Sequence, residues 1–126
     1  MLTRKYEVVA VVHPDAGDEG NDKVLARMRE ALDKTGGTEI RLEDWSVRKL
    51  AYELRGQRKG QYYYLLYLGT NKTVAEMERL LGITETILKY QTVLCQDRVE
   101  SDTFDFEKAR DEVSYIGRGM QKEANA

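Results

Sequence analysis

Residues 61–69 constrain the fold of this chain more than any other segment. Their side chains alternate between the two faces of a strand, and both faces are apolar: Tyr62, Tyr64, Leu66 and Leu68 on one, Tyr63, Leu65 and Tyr67 on the other. A strand with two apolar faces has to be covered on both, which places it at the centre of a sheet. Segment 4–12 shows the same two-sided pattern. The sequence therefore predicts two central strands.

The periodicity of the other segments predicts two helices and two further strands. One helix spans 22–35, with Asn21 or Asp22 as its N-cap and glycines at 36–37 ending it; the other begins at a capping box over 73–76 and ends at Gly82. The strands span 38–54 and 86–96. Strand 38–54 changes its apolar phase near Asp44 and again near 48–49, which predicts bulges, and a basic loop follows at 55–60.

The resulting order, βαββαβ, is typical of a ferredoxin-like fold. This α+β architecture has a four-stranded antiparallel sheet in the order 4-1-3-2 with two helices on one face, and it makes the first and third strands central. Residues 1–97 are expected to form this domain. Residues 98–126 carry 7 acids and 5 bases and are expected to be an acidic tail, partly helical near 105–116 or disordered.

Composition excludes several classes of function. One Cys and one His in 126 residues leave no set of ligands for a multi-Cys or two-His metal site. No phosphate-binding loop or zinc-protease motif occurs, so neither an enzyme nor a cofactor is expected. Without a signal peptide or an apolar run of ~20 residues, the chain is expected to be soluble, in a reducing compartment. Its net charge of −2 means that any basic surface has to be local.

Two strands combine aromatic and basic side chains. Arg4, Lys5 and Tyr6 begin the first strand, and Lys89 and Tyr90 lie in the fourth, its expected neighbour. Aromatic stacking combined with cations at phosphates is a common way of binding RNA. The five residues are therefore candidate RNA contacts, although tyrosines that simply pack a sheet would give the same pattern.

A second candidate surface is the segment 41–59, with six bases against three acids. It is either a solvated edge strand and loop, or an edge that receives a partner or phosphates. The Arg48-Lys49 pair lies on this strand, at the sheet edge opposite the fourth strand.

In four places the chain resembles the bacterial small-subunit ribosomal protein S6 family. They are Arg-Lys-Tyr-Glu-Val at 4–8, His-Pro-Asp at 13–15, Gly-Gly at 36–37 and Arg-Leu-Glu-Asp-Trp-Ser-Val-Arg-Lys-Leu-Ala-Tyr at 41–52. The last of these, from Trp45 to Tyr52, is the most specific, and the resemblance covers residues 3–97 in order. The family has glycine where this chain has Ser46, and Pro-Ile where it has Glu-Leu at 53–54.

The resemblance implies a non-enzymatic constituent of the small ribosomal subunit in the cytoplasm. Such a protein would bind the central domain of small-subunit ribosomal RNA together with ribosomal protein S18, without a cofactor. By position, Arg4, Tyr6 and Lys89 would contact RNA. The strand facing the protein partner would present Trp45, Arg48, Lys49, Leu50 and Tyr52.

Two alternatives remain open at this point. One is a paralogue of the same fold that binds other RNA or another protein away from the ribosome. The other is a small-molecule regulatory module of ferredoxin-like shape.

Overall fold

The computed structural model describes residues 2–110, where four strands and three helices follow one another. The strands are β1 (Leu2–Val12), β2 (Thr38–Leu54), β3 (Gln57–Gly69) and β4 (Ile87–Glu100), and the helices are α1 (Gly17–Thr35), α2 (Asn71–Gly82) and α3 (Phe106–Arg110). The strands form one antiparallel sheet in the order β2-β3-β1-β4. This confirms the predicted ferredoxin-like fold, including the strand order 4-1-3-2.

The central strands bury both of their faces. On β1, Val8 pairs with Leu65 of β3 on one side and with Thr92 of β4 on the other. Val8 belongs to a core cluster shared with α1 and α2, whereas the adjacent Val9 belongs to a second cluster on the opposite face. We call the face away from α1 and α2 the open face. The side chains of β1 and β3 on the open face are also buried, which explains why both strands are apolar on both sides.

The open face is partly covered by the segment that follows β4. Ala109 of α3 is only 1% exposed, and the rings of Phe104 and Phe106 meet edge to face at 4.9 Å. All three pack in the cluster that contains Val9. Residues 101–110, which we call the C-terminal strap, thus shield part of the sheet from water.

The predicted domain boundary at residue 97 falls inside β4, which continues to Glu100. Val99 is buried and pairs with Thr3, whose hydroxyl donates to the Val99 carbonyl at 2.9 Å. The division into 1–97 and a tail at 98–126 remains a prediction. Of the helix predicted at 105–116, α3 accounts for Phe106–Arg110, and the rest lies outside the described residues.

The pairing register of β2 shifts where the apolar phase changes. One shift lies between Asp44 and Val47 and another between Lys49 and Leu54, in agreement with the two predicted bulges; a third, between Glu39 and Arg41, was not predicted. At the shift between Asp44 and Val47, Ser46 has a left-handed backbone, with φ of 65°, and its N–H donates to the Asp44 carboxylate at 2.7 Å. The bulge bends β2 and redirects the strand beyond it.

The predicted loop at 55–60 is wrong, because β3 already begins at Gln57. Leu54 pairs with Gln57, and only Arg55 and Gly56 connect the strands, with φ of 49° and 76°. Two left-handed central residues define the tight hairpin turn whose twist matches that of paired strands. We call residues 47–59 the β2–β3 arm.

Both predicted N-caps are also wrong. Helix α1 begins at Gly17, so neither Asn21 nor Asp22 caps it; its first two turns are polar and carry no apolar stripe that could reveal them. Helix α2 follows Thr70, whose N–H donates to the Thr73 hydroxyl at 3.1 Å. Glu76, expected to close a capping box with Thr73, forms ion pairs with Arg79 and Lys34 instead.

Candidate RNA- and protein-binding surfaces

Arg4 lies near the N-terminal end of β1, beside the start of α2. Its Nε donates to the Asp97 carboxylate at 2.8 Å and its Nη1 to the Asn71 side-chain oxygen at 2.6 Å. Hydrogen bonding to Tyr6 and Asp97 raises the pKa of the Arg4 guanidinium. The side chain remains 39% exposed and lines an open groove of about 420 Å³. Arg4 is therefore a fixed cation that is accessible from solvent.

Of the other candidate RNA contacts, Lys5 and Tyr6 are buried and Tyr90 is partly buried. Tyr6 is 5% exposed, its ring is stacked on Tyr67 at 5.5 Å, and its hydroxyl donates to the Asn71 side-chain oxygen at 3.4 Å. Lys5 is buried on the open face, and Tyr90 packs against the cluster below α1 and α2. The sheet packing of these tyrosines accounts for the aromatic pattern that suggested stacking on bases.

Lys89 lies far from Arg4, although their strands are neighbours. Lys89 pairs with Val11, at the opposite end of β1, which separates it from Arg4 by seven residues or about 23 Å. It meets Tyr52 instead: its Nζ donates to the tyrosine hydroxyl at 2.9 Å and lies 5.3 Å from the ring centre. The candidate RNA patch formed by Arg4 and Lys89 is thus split between two ends of the molecule.

The β2–β3 arm brings the two sheet edges together. It crosses the open face from the β2 side and reaches β4 through Tyr52 and Lys89. At its tip Arg55 Nη1 donates to the Glu85 carbonyl, between α2 and β4, at 3.3 Å. The apolar pattern of β2 predicted its bulges, but it did not predict that the bent arm would reach β4.

Two side chains of the candidate partner surface, Trp45 and Arg48, belong to a continuous stack of four. The Arg48 guanidinium lies 5.3 Å from the centre of the Trp45 ring. The Trp45 ring is stacked on the Tyr64 ring, with 4.8 Å between ring centres and 9° between planes. The Arg41 guanidinium lies 5.1 Å from the centre of the Tyr64 ring. The Trp45 indole N–H donates to Glu43 at 3.0 Å. These cation–π and stacking contacts fix Trp45 and Arg48 in one geometry.

The remaining members of the partner set lie on the arm. Leu50 is buried near Val11 and Gly60, whereas Tyr52 and Val47, both on the arm, are 58% and 49% exposed. Arg48 and Lys49 are exposed. Exposed apolar groups flanked by cations are suited to contact with another macromolecule.

Sequence reasoning missed a buried polar network beneath this surface. The Tyr64 hydroxyl donates to Glu7, which is 2% exposed, at 2.7 Å. Arg41 forms an ion pair with Glu43 and donates to the Arg110 carbonyl at 2.5 Å, which ties the C-terminal strap to β2. The only sign of this network in the sequence was Glu7, an acid in the middle of an apolar central strand, which needs a buried hydrogen-bond donor.

Residues 2–110 contain no group of three or more His, Cys, Asp or Glu side chains that could hold a metal ion. Over the same part of the chain, every helix is too short or too polar to span a bilayer.

Comparison with known proteins connects these surfaces to a family. Residues 5–94 match the family model described as Ribosomal protein S6. Small ribosomal subunit protein bS6 of Geobacter metallireducens is 38% identical over 102 residues, covering 81% of this chain and 83% of that protein. The bS6 protein of Geotalea daltonii is 41% identical over 90 residues, covering 71% and 70%.

Solved structures share the fold. The crystal structure of 30S ribosomal protein S6 from Thermotoga maritima superimposes with a TM-score of 0.67 at 23% identity, covering 94% of this chain and 98% of that one. The C-terminal domain of the MgtC protein from Mycobacterium tuberculosis gives a TM-score of 0.53 at 12% identity, covering 75% and 89%. At these identities the likeness concerns the fold alone.

Proposed function

Since this chain belongs to the ribosomal protein S6 family of the small ribosomal subunit, we propose that it binds the central domain of small-subunit ribosomal RNA together with ribosomal protein S18. The family match over residues 5–94 carries the proposal, because it includes the whole partner surface on β2 and begins directly after Arg4. The protein acts as a structural constituent of the ribosome in the cytoplasm and performs no catalysis.

The Arg4 end of β1 supports an RNA contact. Asn71 and Asp97 hold the guanidinium of Arg4 in place, so little conformational freedom is lost when a phosphate binds. Arg98 lines the same groove and adds a second cation. Recognition here would rest on phosphates rather than on bases, since Tyr6 is stacked within the core.

The stack on β2 supports the protein contact. Trp45 and Arg48 are prearranged by the Tyr64 ring, and Tyr52 presents an exposed aromatic side chain on the same strand. Aromatic and arginine side chains dominate the binding energy of many protein interfaces. A partner seated on them would meet a rigid surface.

Sedimentation tests the assignment. A lysate resolved on a sucrose gradient and probed for this protein should show it with small subunits and whole ribosomes, in stoichiometric amount and after a high-salt wash. Detection only in the unbound fraction at the top of the gradient would favour a paralogue that acts away from the ribosome.

Two single substitutions test the division of work between the surfaces. Arg4→Ala should weaken binding to a transcript of the central domain and lower the salt dependence by about one counterion, while leaving the complex with S18 intact. Arg48→Ala should weaken the S18 complex even without RNA.

Titrations of the transcript with this protein, with S18 and with both measure these effects. Because the chain is net acidic, we expect weak binding alone and cooperative binding with S18. Tight binding that does not depend on S18 would contradict the cooperative mechanism.

A further inference from the structure

The β2–β3 arm concentrates positive charge that no acidic side chain neutralises within residues 2–110. The arm has a single acid, Glu53. A further base, Lys89 of β4, contacts the arm at Tyr52. The exposed bases of the arm are Arg48, Lys49, Arg55, Arg58 and Lys59. None of them forms an ion pair with another residue of 2–110, whereas Arg4, Arg29, Lys34, Arg41 and Arg79 each do. In a chain with a net charge of −2, this segment is locally cationic.

Two of these lysines repel one another across the hairpin. Lys49 and Lys59 are direct partners in the β2–β3 register, which brings their Cβ atoms to about 5 Å. A Cβ on the adjacent Gly60 would meet Val11 and Leu50, so Gly60 faces the open side of the sheet. Lys59 and Lys49 therefore point to the other face of the arm. Like charges directly opposite each other destabilise a hairpin, and an anion placed between them removes that repulsion.

We propose that Lys49 and Lys59 bracket a phosphate of the RNA backbone, with Arg58 and Arg55 closer to the tip of the arm. The inference rests on the proposed function, since it takes ribosomal RNA as the polyanion. The inference assigns Lys49 to RNA and leaves Trp45, Arg48 and Tyr52 to the protein contact. It also gives the molecule a second RNA contact, remote from Arg4.

The acids of the molecule limit where this RNA can lie. Burial first, and then the charges of Asp44, Asp22 and Asp18, raise the pKa of Tyr63, which places those acids around the base of the arm. Tyr63 is four residues from Lys59, or about 13 Å along the strand. A phosphate backbone would be repelled there and attracted beyond it. The part of the arm from Lys49 and Lys59 to the tip thus fits a polyanion.

A single charge reversal separates RNA binding from structure. Lys49→Glu replaces a repelling pair with an attracting one, so the melting temperature should rise while affinity for a central-domain transcript, measured with S18 present, falls at least tenfold. Lys23→Glu on α1 makes the same change in net charge at an exposed site away from the arm. It should leave RNA affinity within twofold of the wild type.

The salt dependence counts the contacts. In the Lys49→Gln, Lys59→Gln double variant, the slope of log K against log[salt] should become shallower by about 0.7–0.9 for each lost phosphate contact. An unchanged slope and affinity would overturn the inference, and so would loss of S18 binding in the absence of RNA, which would assign the lysines to the protein interface. If the wild type with S18 fails to bind the transcript, the proposed function falls as well; if it binds and the arm variants bind equally, only the inference falls.

Discussion

At the scale of residues, two buried tyrosines of β3 differ in what their hydroxyl groups contact. The Tyr64 hydroxyl donates to the buried Glu7 carboxylate at 2.7 Å. The Tyr67 hydroxyl, on the helix-covered face, is fully buried and has no hydrogen-bond partner among the described residues. An unsatisfied buried hydroxyl costs free energy, whereas a satisfied one that bonds a carboxylate contributes to stability.

The same substitution should therefore have different effects at the two positions. Tyr64→Phe leaves Glu7 with one donor fewer and should lower the free energy of unfolding by about 1–3 kcal/mol. Tyr67→Phe removes the unsatisfied hydroxyl and should leave stability unchanged or raise it by up to about 1 kcal/mol. Urea denaturation of both variants measures the difference. An equal loss in both would contradict the hydrogen-bonding difference.

Alkaline titration gives an independent check on Tyr67. Burial first, and then the nearby Tyr6 and Glu78, raise the pKa of its hydroxyl well above that of a free tyrosine. Above about pH 10 the unfolded chain releases this proton and the folded chain does not, so stability is lost as the pH rises. Tyr67→Phe should lose less stability than the wild type between pH 9 and 11.

At the scale of elements, the sequence predicted what was periodic and missed what was not. The two-sided segments at 4–12 and 61–69 required central strands, and the phase changes of 38–54 required bulges. The starts of α1 and β3 were misplaced because their first residues are polar and carry no apolar period. The position of Lys89 against Tyr52 depends on how the bends of β2 accumulate, which no local pattern records.

The backbone of Ser46, in the β2 bulge between Asp44 and Val47, is strained, and a substitution can relieve the strain. Ser46 has a φ of 65°, a region that costs an L-residue energy and glycine very little. Ser46→Gly should raise the free energy of unfolding by roughly 0.5–1 kcal/mol, because the N–H bond to Asp44 is retained.

Thermal melts of Ser46→Gly and Ser46→Ala check this prediction. Since alanine gives no relief of the left-handed backbone, only the glycine variant should gain stability. A gain in both variants would assign the effect to the lost hydroxyl rather than to the backbone.

At the scale of the whole molecule, the C-terminal strap determines how the open face meets water. Ala109 is 1% exposed over the sheet, and Arg41 holds the Arg110 carbonyl. The strap covers the face that α1 and α2 leave bare, so the sheet has an apolar layer on both sides.

Introducing a charge under the strap should lift it. Ala109→Glu places a carboxylate in a buried apolar contact, which should lower the melting temperature by several degrees and increase binding of a hydrophobic dye. Lys108→Glu changes the charge at the adjacent exposed position and serves as control. Equal dye binding by both variants would show that Ala109 does not hold the strap closed.

The strand order also governs what happens while the chain is being synthesised. β1 leaves the ribosome before the other three strands, yet its residue Val8 pairs with Thr92 of β4, 84 positions later. The hairpin of β2 and β3 can form as soon as Gly69 has emerged, but Ala109 covers the face that holds Tyr64 only about 40 residues later. At roughly 5–20 residues per second, this leaves an aromatic sheet surface uncovered for about 2–8 seconds in every nascent chain, an interval in which chaperones or neighbouring nascent chains can reach it.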